Sequence, residues 1–518
     1  MRSVVPHAWG PFFARYGRVT EVQALAIPRI LEGASVIVAA PTATGKTEAV
    51  VAPVAELLAG RPYRDALDTV YVVPTRALAN DTMVRISEPL AEMGFRAWLR
   101  HGEHSYLPNR DPHFMVTTPE SLDSLICRRP KLFLALSTVI VDEVHLLDGT
   151  YRGDQMRVLI RRLCNLYPER GVRVHLLSAT VGDPVEVGAR YDADIQPVVS
   201  HAGGRALDVN YAGTVRGAVE LAKTRRWGKL LFFCNSRRRV EEVANEVRPL
   251  WAPYPAFAHH GSLSRQERQK AEQTMREARV AACVATSTLE VGIDIGNIDA
   301  VVLAEMPWSL SALAQRIGRG NRRSGRITVV VATGAGAEDT LLEGMLNLAA
   351  AGGMPAQVYT ADLSVVVQQT FSSLFARRAG IEEQQLVDIV APLCEPDDAR
   401  AIWRHLEETG WMSLHGTRWL GTQQVMDLDR RGEIHTNIPD DTVHKVIDAM
   451  SQREVGTVVG EFDKTFILAG RGWQVVGVRG FDILARRVEG VQKAAAFHPS
   501  RAEGRFAHLL PGSMRRRG

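Results

Sequence analysis

Residues 36–48 read Val36-Ile37-Val38-Ala39-Ala40-Pro41-Thr42-Ala43-Thr44-Gly45-Lys46-Thr47-Glu48. The apolar run from Val36 to Ala40 has the character of a buried parallel strand, and the run from Glu48 to Leu58 that of a helix. A small-residue turn joins them. Strand, tight loop and helix N-terminus in that order make an anion site. Backbone N–H groups and the helix dipole point at phosphate, with Lys46 for the β/γ-phosphates and the Thr47 hydroxyl for Mg²⁺. Thr42, Ala43, Thr44, Gly45, Lys46 and Thr47 are therefore nucleotide-binding candidates. A bare Gly-Lys-Thr also occurs in ordinary turns, so the reading depends on what surrounds it.

Around this stretch, strand and helix patterns alternate. Apolar runs at 36–40, 69–73, 114–117, 138–142 and 173–177 are separated by helix-like stretches, which implies a parallel sheet with helices on both faces over residues 1–200. The Gly-rich stretch 201–212 reads as a linker. A second alternating block has strands at 229–234, 256–259, 280–285, 299–304 and 327–332, giving another α/β domain within 201–350. Helices near 361–378, 381–392 and 397–409, then a hairpin through Trp411 and Trp419, read as a winged helix over 355–425. Short strands with Gly turns make 430–518 a small β-rich or α+β module, with a frayed end from about 501.

With 518 residues, the chain is too long for one core. Five scattered cysteines argue against a zinc site or a disulfide framework and fit a cytoplasmic setting. There is no apolar run of about 18 residues to cross a membrane. The start, Met1 to Trp9, lacks the pattern of a signal peptide. Net charge is only +4, but the basic residues are mostly arginine, which suits phosphate contacts. His101, His104 and His113 lack metal-type spacing, so no nuclease metal centre is read there.

Asp142-Glu143-Val144-His145 ends the run 138–142. A carboxylate at the carboxyl end of a parallel strand faces the ligand crevice. Asp142 is placed to hold Mg²⁺ through water, and Glu143 to orient and deprotonate an attacking water.

These residues, with Ser178-Ala179-Thr180 after the next strand, resemble motifs II and III of superfamily 2 helicases. Gln23 resembles the adenine-reading Q motif. Pro74-Thr75-Arg76-Ala77-Leu78 resembles motif Ia, and Thr117-Thr118-Pro119-Glu120 motif Ib. Phe232 to Arg237 resembles motif IV, Ala285 to Asp294 motif V and Gln315 to Arg322 motif VI. The stretches His259 to Arg265 and Ile434 to Asp440 narrow the resemblance to the large helicase-related (Lhr) family.

The resemblance implies two RecA-like lobes, a winged helix, a further C-terminal domain and ATP hydrolysis with Mg²⁺. It implies 3′→5′ movement on DNA or DNA–RNA hybrids within DNA repair, and the chain is expected to act as a monomer. It places Gly292 and Asp294 at the nucleotide, and His145, Ser178, Thr180 and Gln315 in coupling. Arg319 and Arg322 become finger arginines; three apart, they would share one face of a helix. Arg76, Thr118, Arg237 and Thr286 become strand contacts. Trp403, Trp411 and Trp419 would serve either as base-stacking wedges or, more commonly, as core. Ala43 stands where many relatives have glycine in the phosphate loop. Two other classes use the same motifs: an ATP-gated clamp or annealing factor without processive unwinding, and a non-catalytic scaffold. Intact Lys46, Asp142, Glu143 and Arg319 argue against the scaffold.

Overall fold

The computed structural model describes the chain except residues 42–43, 103–105, 107, 180–181, 193, 201–205, 287–288, 290–294, 321–325, 334–336, 351–358, 439–442, 460–463, 481, 492–493, 495–503 and 516–518. Seven strands form the first sheet: β1 (Val36–Ala39), β2 (Thr69–Val72), β3 (Ala97–Arg100), β4 (Phe114–Thr117), β5 (Thr138–Val141), β6 (Arg173–Ser178) and β7 (Gln196–Val199). Their order is β3-β4-β2-β5-β6-β1-β7, and each neighbouring pair is parallel. Strands β1, β2, β4 and β5 are buried at every position, which is why they read as continuous apolar runs. The sequence reading missed the edge strands β3 and β7, which are only partly buried.

The second sheet contains β8 (Ala206–Tyr211), β9 (Lys229–Phe233), β10 (Ala256–His259), β11 (Ala281–Ala285), β12 (Ala300–Leu303) and β13 (Arg326–Val331). The order is β10-β11-β9-β12-β13-β8, again parallel. The expected linker 201–212 is corrected here. Residues 206–211 are an edge strand paired along β13, and their alternating exposure hides them among polar residues. A three-stranded antiparallel sheet comes next, β14 (Ile381–Glu382), β15 (Met412–His415) and β16 (Arg418–Gly421), in the order β14-β16-β15. The last sheet holds β17 (Val443–Asp448), β18 (Glu454–Val459), β19 (Thr465–Leu468), β20 (Arg471–Arg479) and β21 (Asp482–Arg487), ordered β18-β17-β21-β20-β19.

These sheets belong to two compact units, each discontinuous in sequence. One comprises Met1–Ala202, Ala356–Asp440 and Arg501–Gly518; the other comprises Gly203–Pro355 and Asp441–Ser500. The expected module 430–518 is therefore divided between them.

In the first unit, the helix Ser364–Ala376 is buried from Ser364 to Leu374, polar residues included. Asp123 of the first lobe accepts hydrogen bonds from Arg162 Nη1 (2.6 Å), Ser372 Oγ (2.6 Å), Gln368 Nε2 (2.9 Å) and Gln369 Nε2 (3.2 Å). Burial opposes the charge on Asp123, but Arg162 and His435 hold its carboxyl well below the usual range. Burial also opposes the charge on His435, yet the Asp123 carboxylate, 3.6 Å from Nδ1, pushes it up to about 9. Asp123, Cys127 and His435 offer ligand atoms within 4.8 Å of one another. The Arg162 guanidinium already neutralises that carboxylate, so the cluster is an ion-pair network that fastens the helix to the lobe.

Trp403 and Trp419 lie in the core with Phe371, Trp403 donating to Thr370 Oγ1 at 3.0 Å; Trp411 stacks on Phe371 at 5.2 Å. The base-stacking alternative for all three is set aside, because the rings are spent on packing. The frayed end is also corrected. Gly504 N donates to Asp362 Oδ2 (3.0 Å), Arg505 N to Asn437 O (2.8 Å), and Phe506 and Leu510 are buried in the same core. A Cβ on Gly504 would meet Asn437 Nδ2 at 2.0 Å and Ser364 Oγ at 2.3 Å, so only glycine fits.

In the second unit, Phe466, Leu468 and Trp473 share one core with Val243, Ala244 and Val247 of the helix Arg237–Trp251. Fully buried Glu241 accepts the Ala469 N–H at 2.7 Å and the Gly470 N–H, and hydrogen-bonds His260 Nε2 at 2.7 Å.

Candidate active site

The phosphate loop runs from β1 to the helix Lys46–Ala59. Gly45, at φ 85°, is the turning point, and a Cβ there would meet Gln23 Nε2 at 2.3 Å. Glycine is required on both counts. Lys46 is buried, with Nζ donating to Ala40 O (2.8 Å) and Pro41 O (3.1 Å). The loop is held from outside by the start of the helix Glu21–Leu31. Thr20 and Gln23 form a capping box there, Gln23 Nε2 donates to Gly45 O at 3.2 Å, and Thr20 Oγ1 donates to Thr44 O at 2.8 Å. Sequence reasoning missed Thr20, although the spacing Thr20-x-x-Gln23 before an apolar run is a capping-box signature.

Beyond β5, Asp142 is buried; its Oδ2 accepts the Tyr71 O–H at 2.6 Å and its Oδ1 accepts the Glu143 N–H at 2.8 Å. Burial and then the Glu143 charge push the Asp142 carboxyl up, against Tyr71 and Lys46. Burial and the Asp142 charge push the Tyr71 hydroxyl well up, so it stays a donor. Glu143 takes φ 47°, a left-handed conformation rare outside glycine, and its buried Oε2 has no hydrogen-bond partner. His145 Nδ1 shares a 2.9 Å hydrogen bond with Ser178 Oγ at the end of β6 and lies 3.5 Å from Glu143 Oε2. Burial and then Lys46 push His145 down to about 3, so it is neutral and sits between Ser178 and Glu143 without adding charge. Thr47 is buried and accepts a hydrogen bond from Arg85 Nη1 at 3.1 Å.

Gln23, Thr44, Gly45, Lys46, Thr47, Asp142, Glu143, His145 and Ser178 are thus gathered at the carboxyl ends of the central strands. Tyr71 and Arg85 join them without belonging to any recognised motif. Thr42, Ala43, Thr180, Gly292, Asp294 and Arg322 lie outside the described residues.

The strand-contact candidates divide between the units. Arg76 opens the helix Arg76–Glu92 and is exposed; Thr118 precedes the helix Pro119–Arg128 and is buried. Arg152 joins their two loops, donating to Pro74 O at 2.6 Å and to both Glu120 oxygens at 2.7 and 3.1 Å. Burial works against the charge on Glu120, but Arg152 outweighs it and keeps the carboxyl low.

In the second unit, Arg237 opens the helix Arg237–Trp251 and donates to Ser262 Oγ at 2.9 Å; Thr286 comes directly after β11 and is buried. Gln315 lies in the helix Leu310–Ile317, buried, its Nε2 donating to Ser311 Oγ at 3.3 Å. That helix ends before Arg319, so Arg319 lies outside it, and the shared face expected with Arg322 falls outside the described residues. Arg319 is buried just past the cap, at Gly318. Arg316, not singled out from sequence, is buried on Asn235 Oδ1 at 2.9 Å. A cleft of about 800 Å³ is lined in part by Thr214, Asn235, Arg239, Glu305, Trp308 and Thr333, near the carboxyl ends of β8, β9, β12 and β13.

Residues 20–187 match the DEAD/DEAH box helicase family, and residues 213–324 the helicase conserved C-terminal domain. The chain is 29% identical to "ATP-dependent helicase Lhr-Core protein 2" of Thermococcus barophilus, the match covering 93% of this chain and 63% of that protein. It is 31% identical to "ATP-dependent helicase Lhr-Core" of Saccharolobus solfataricus, covering 62% of this chain and 42% of that protein. The chain thus spans less than two thirds of the length of these curated relatives.

Among solved structures, helicase Lhr of Mycobacterium smegmatis bound to single-stranded DNA and AMP-PNP matches with a TM-score of 0.71 at 25% identity, covering 84% of this chain and 62% of that one. DUF1998 helicase MrfA bound to DNA matches in fold with a TM-score of 0.75 at 20% identity, covering 95% and 70%. With two RecA-like parallel-sheet lobes, the motif residues of the first gathered at its strand ends, and both helicase domains matched in tandem, the chain belongs to the superfamily 2 DEAD/DEVH-box helicases and resembles the Lhr core.

Proposed function

We propose that the chain is a nucleic-acid-dependent ATPase that unwinds duplexes, moving 3′→5′ on DNA or DNA–RNA hybrids in a repair setting. The observation that carries this reading is the buried cluster of Lys46, Thr47, Asp142, Glu143, His145 and Ser178 in the first lobe. Two buried acids, Asp142 and Glu143, stand side by side here, and Glu143 Oε2 has no hydrogen-bond partner, a donor set that fits Mg²⁺. Thr47 and Asp142 would hold that ion, and it would supply charge neutralisation at the phosphates.

With ATP bound, Lys46 turns from the loop carbonyls to the β/γ-phosphates; Glu143 Oε2 takes the proton of the water that attacks the γ-phosphorus, and ADP leaves as the bond from that phosphorus to the bridging oxygen breaks. Neutral His145 is hydrogen-bonded to Ser178 and stands 3.5 Å from Glu143, so occupancy of the site is felt at the end of β6. Gln23 reads the adenine from its place on the loop. In the second lobe, Arg319, Arg322, Gly292, Asp294 and Gln315 complete the nucleotide site, and Arg319→Ala is the direct test of the finger role. Arg76, Thr118, Arg237 and Thr286 hold the strand by phosphate and sugar, without reading sequence. Residues 355–425 act as a winged helix that guides the duplex.

ATPase stimulation by matched single-stranded DNA and RNA at several salt concentrations tests the reading. Stimulation by either polymer, with a salt slope reporting the phosphates contacted, supports it. Turnover equal to a Lys46→Ala control would sink it. Strand displacement on 3′-tailed, 5′-tailed and forked duplexes separates unwinding from an ATP-gated clamp, which hydrolyses without displacing.

A further inference from the structure

One contact in the phosphate site serves neither hydrolysis nor adenine binding. Arg85 Nη1 donates to Thr47 Oγ1 at 3.1 Å, and Arg85 Nη2 pairs with Asp81, one turn earlier, at 2.8 Å. Thr47 Oγ1 is the oxygen assigned to Mg²⁺. Asp142, the other metal-facing group, lies in the field of the same guanidinium, and its Oδ2 is occupied by the Tyr71 hydroxyl at 2.6 Å. A guanidinium is charged at every working pH. Arg85 therefore places a permanent positive charge on Thr47 Oγ1 and within the field of Asp142, where a divalent cation meets a competing donor and like-charge repulsion.

The element that carries Arg85 matters as well. Its helix, Arg76–Glu92, begins with Arg76, the strand-contact candidate, and is capped by Thr75. The two arginines are separated by roughly 13 Å along the axis at about 1.5 Å per residue. One helix thus carries a phosphate contact at its start and, further along, a cation on the metal-facing threonine. The Arg85 side chain is 41% exposed and that of Asp81 25%, so the guanidinium has a partner on its solvent side.

We propose that Arg85 is a positioning residue that couples strand binding to Mg²⁺ loading. Without a strand it holds the Thr47 hydroxyl. A strand seated on Arg76 draws the helix so that Arg85 keeps Asp81, which it already holds, and lets go of Thr47, leaving Thr47 and Asp142 to the metal. This coupling rests on the ATPase reading.

The test tracks fluorescence of MANT-ADP bound to the full chain as MgCl₂ is titrated, with and without a single-stranded oligonucleotide. In the wild type the oligonucleotide lowers the MgCl₂ half-saturation about tenfold, the equivalent of one charge-assisted hydrogen bond. Arg85→Ala starts at that lower value, and the oligonucleotide shifts it no further. Asp81→Asn acts in the opposite direction: Arg85 loses its outer partner, and the half-saturation stays high even with the oligonucleotide. If Arg85→Ala melts early, Asp81→Asn alone decides.

Wild-type behaviour in both variants overturns the coupling while leaving the ATPase reading standing. So does a wild-type half-saturation that the oligonucleotide does not move. Absence of MANT-ADP binding to the wild type overturns the ATPase reading and the coupling together.

Discussion

Glu143 is held at φ 47° and ψ 46°, in a region that costs a non-glycine residue about 1–3 kcal/mol. Folding tolerates that strain because Asp142 Oδ1 accepts the Glu143 N–H and His145 stands beside its carboxylate. The proposed base is thereby fixed before any substrate arrives. Glu143→Gln keeps the shape and removes the proton acceptor, so turnover should fall about 10²–10⁴-fold while MANT-ADP binding stays near wild type. Loss of binding in step with turnover would make Glu143 structural instead. Trp308, 81% exposed at the lobe 2 cleft, is the most exposed tryptophan among the described residues. An exposed indole offers a face on which a base can stack, and if Trp308 is used in this way, Trp308→Ala should weaken binding of a single-stranded oligonucleotide by about 1–3 kcal/mol in fluorescence anisotropy. Equal affinity would return it to ordinary surface. At this scale the motif residues were legible because chemistry fixes their type and spacing. Tyr71 and Arg85 were not, since a strand tyrosine and a helix arginine look the same whether or not they reach Asp142 and Thr47.

At the scale of elements, the buried strands β1, β2, β4 and β5 announced themselves, since burial on both faces leaves only apolar choices. Edge strands β3, β7 and β8 did not, because partial exposure mixes polar residues into the run. Arg152 shows what sequence hides between elements: it clamps the Pro74 loop to the helix that carries Glu120. Arg152→Ala should release the two strand-contact loops and weaken oligonucleotide binding about tenfold, with MANT-ADP affinity kept. A parallel loss of nucleotide affinity would mean general unfolding of the lobe. Strand β6 carries a pH liability in His175. It is buried with Nδ1 unpartnered, and burial followed by Arg173 pushes it down to about 3. The unfolded imidazole titrates near about 6.5, so the unfolded chain binds a proton that the folded strand refuses. Stability from this group is full above about pH 6.5 and drains as pH falls toward 3. His175→Leu should therefore flatten the fall in melting temperature between about pH 7.5 and 5. A slope identical to wild type would exclude His175 as the cause.

On the scale of the whole molecule, sequence order and spatial grouping part company. The sequence divides readily into consecutive blocks, and the two α/β blocks were legible from their alternation. The grouping of the segments after them was not, because it depends on a few distant contacts. Residues 441–500 join the second unit through Glu241 and a shared core, while 504–515 return to the first through Gly504 and Phe506. Gly504→Val should lower the melting temperature of the first unit, because the site has no room even for a Cβ. Melting unchanged from wild type would show that this segment is not needed for stability. The return of 504–515 also sets a timetable. A ribosome delivers the nucleotide-binding lobe first, yet the core beside it stays open, with Phe371 lacking its Phe506 partner, until the chain has been made through the whole of the second unit. Nascent chains stalled before residue 504 should carry an intact-looking phosphate loop on an unfinished body, which gives a chaperone something to hold and a protease something to cut.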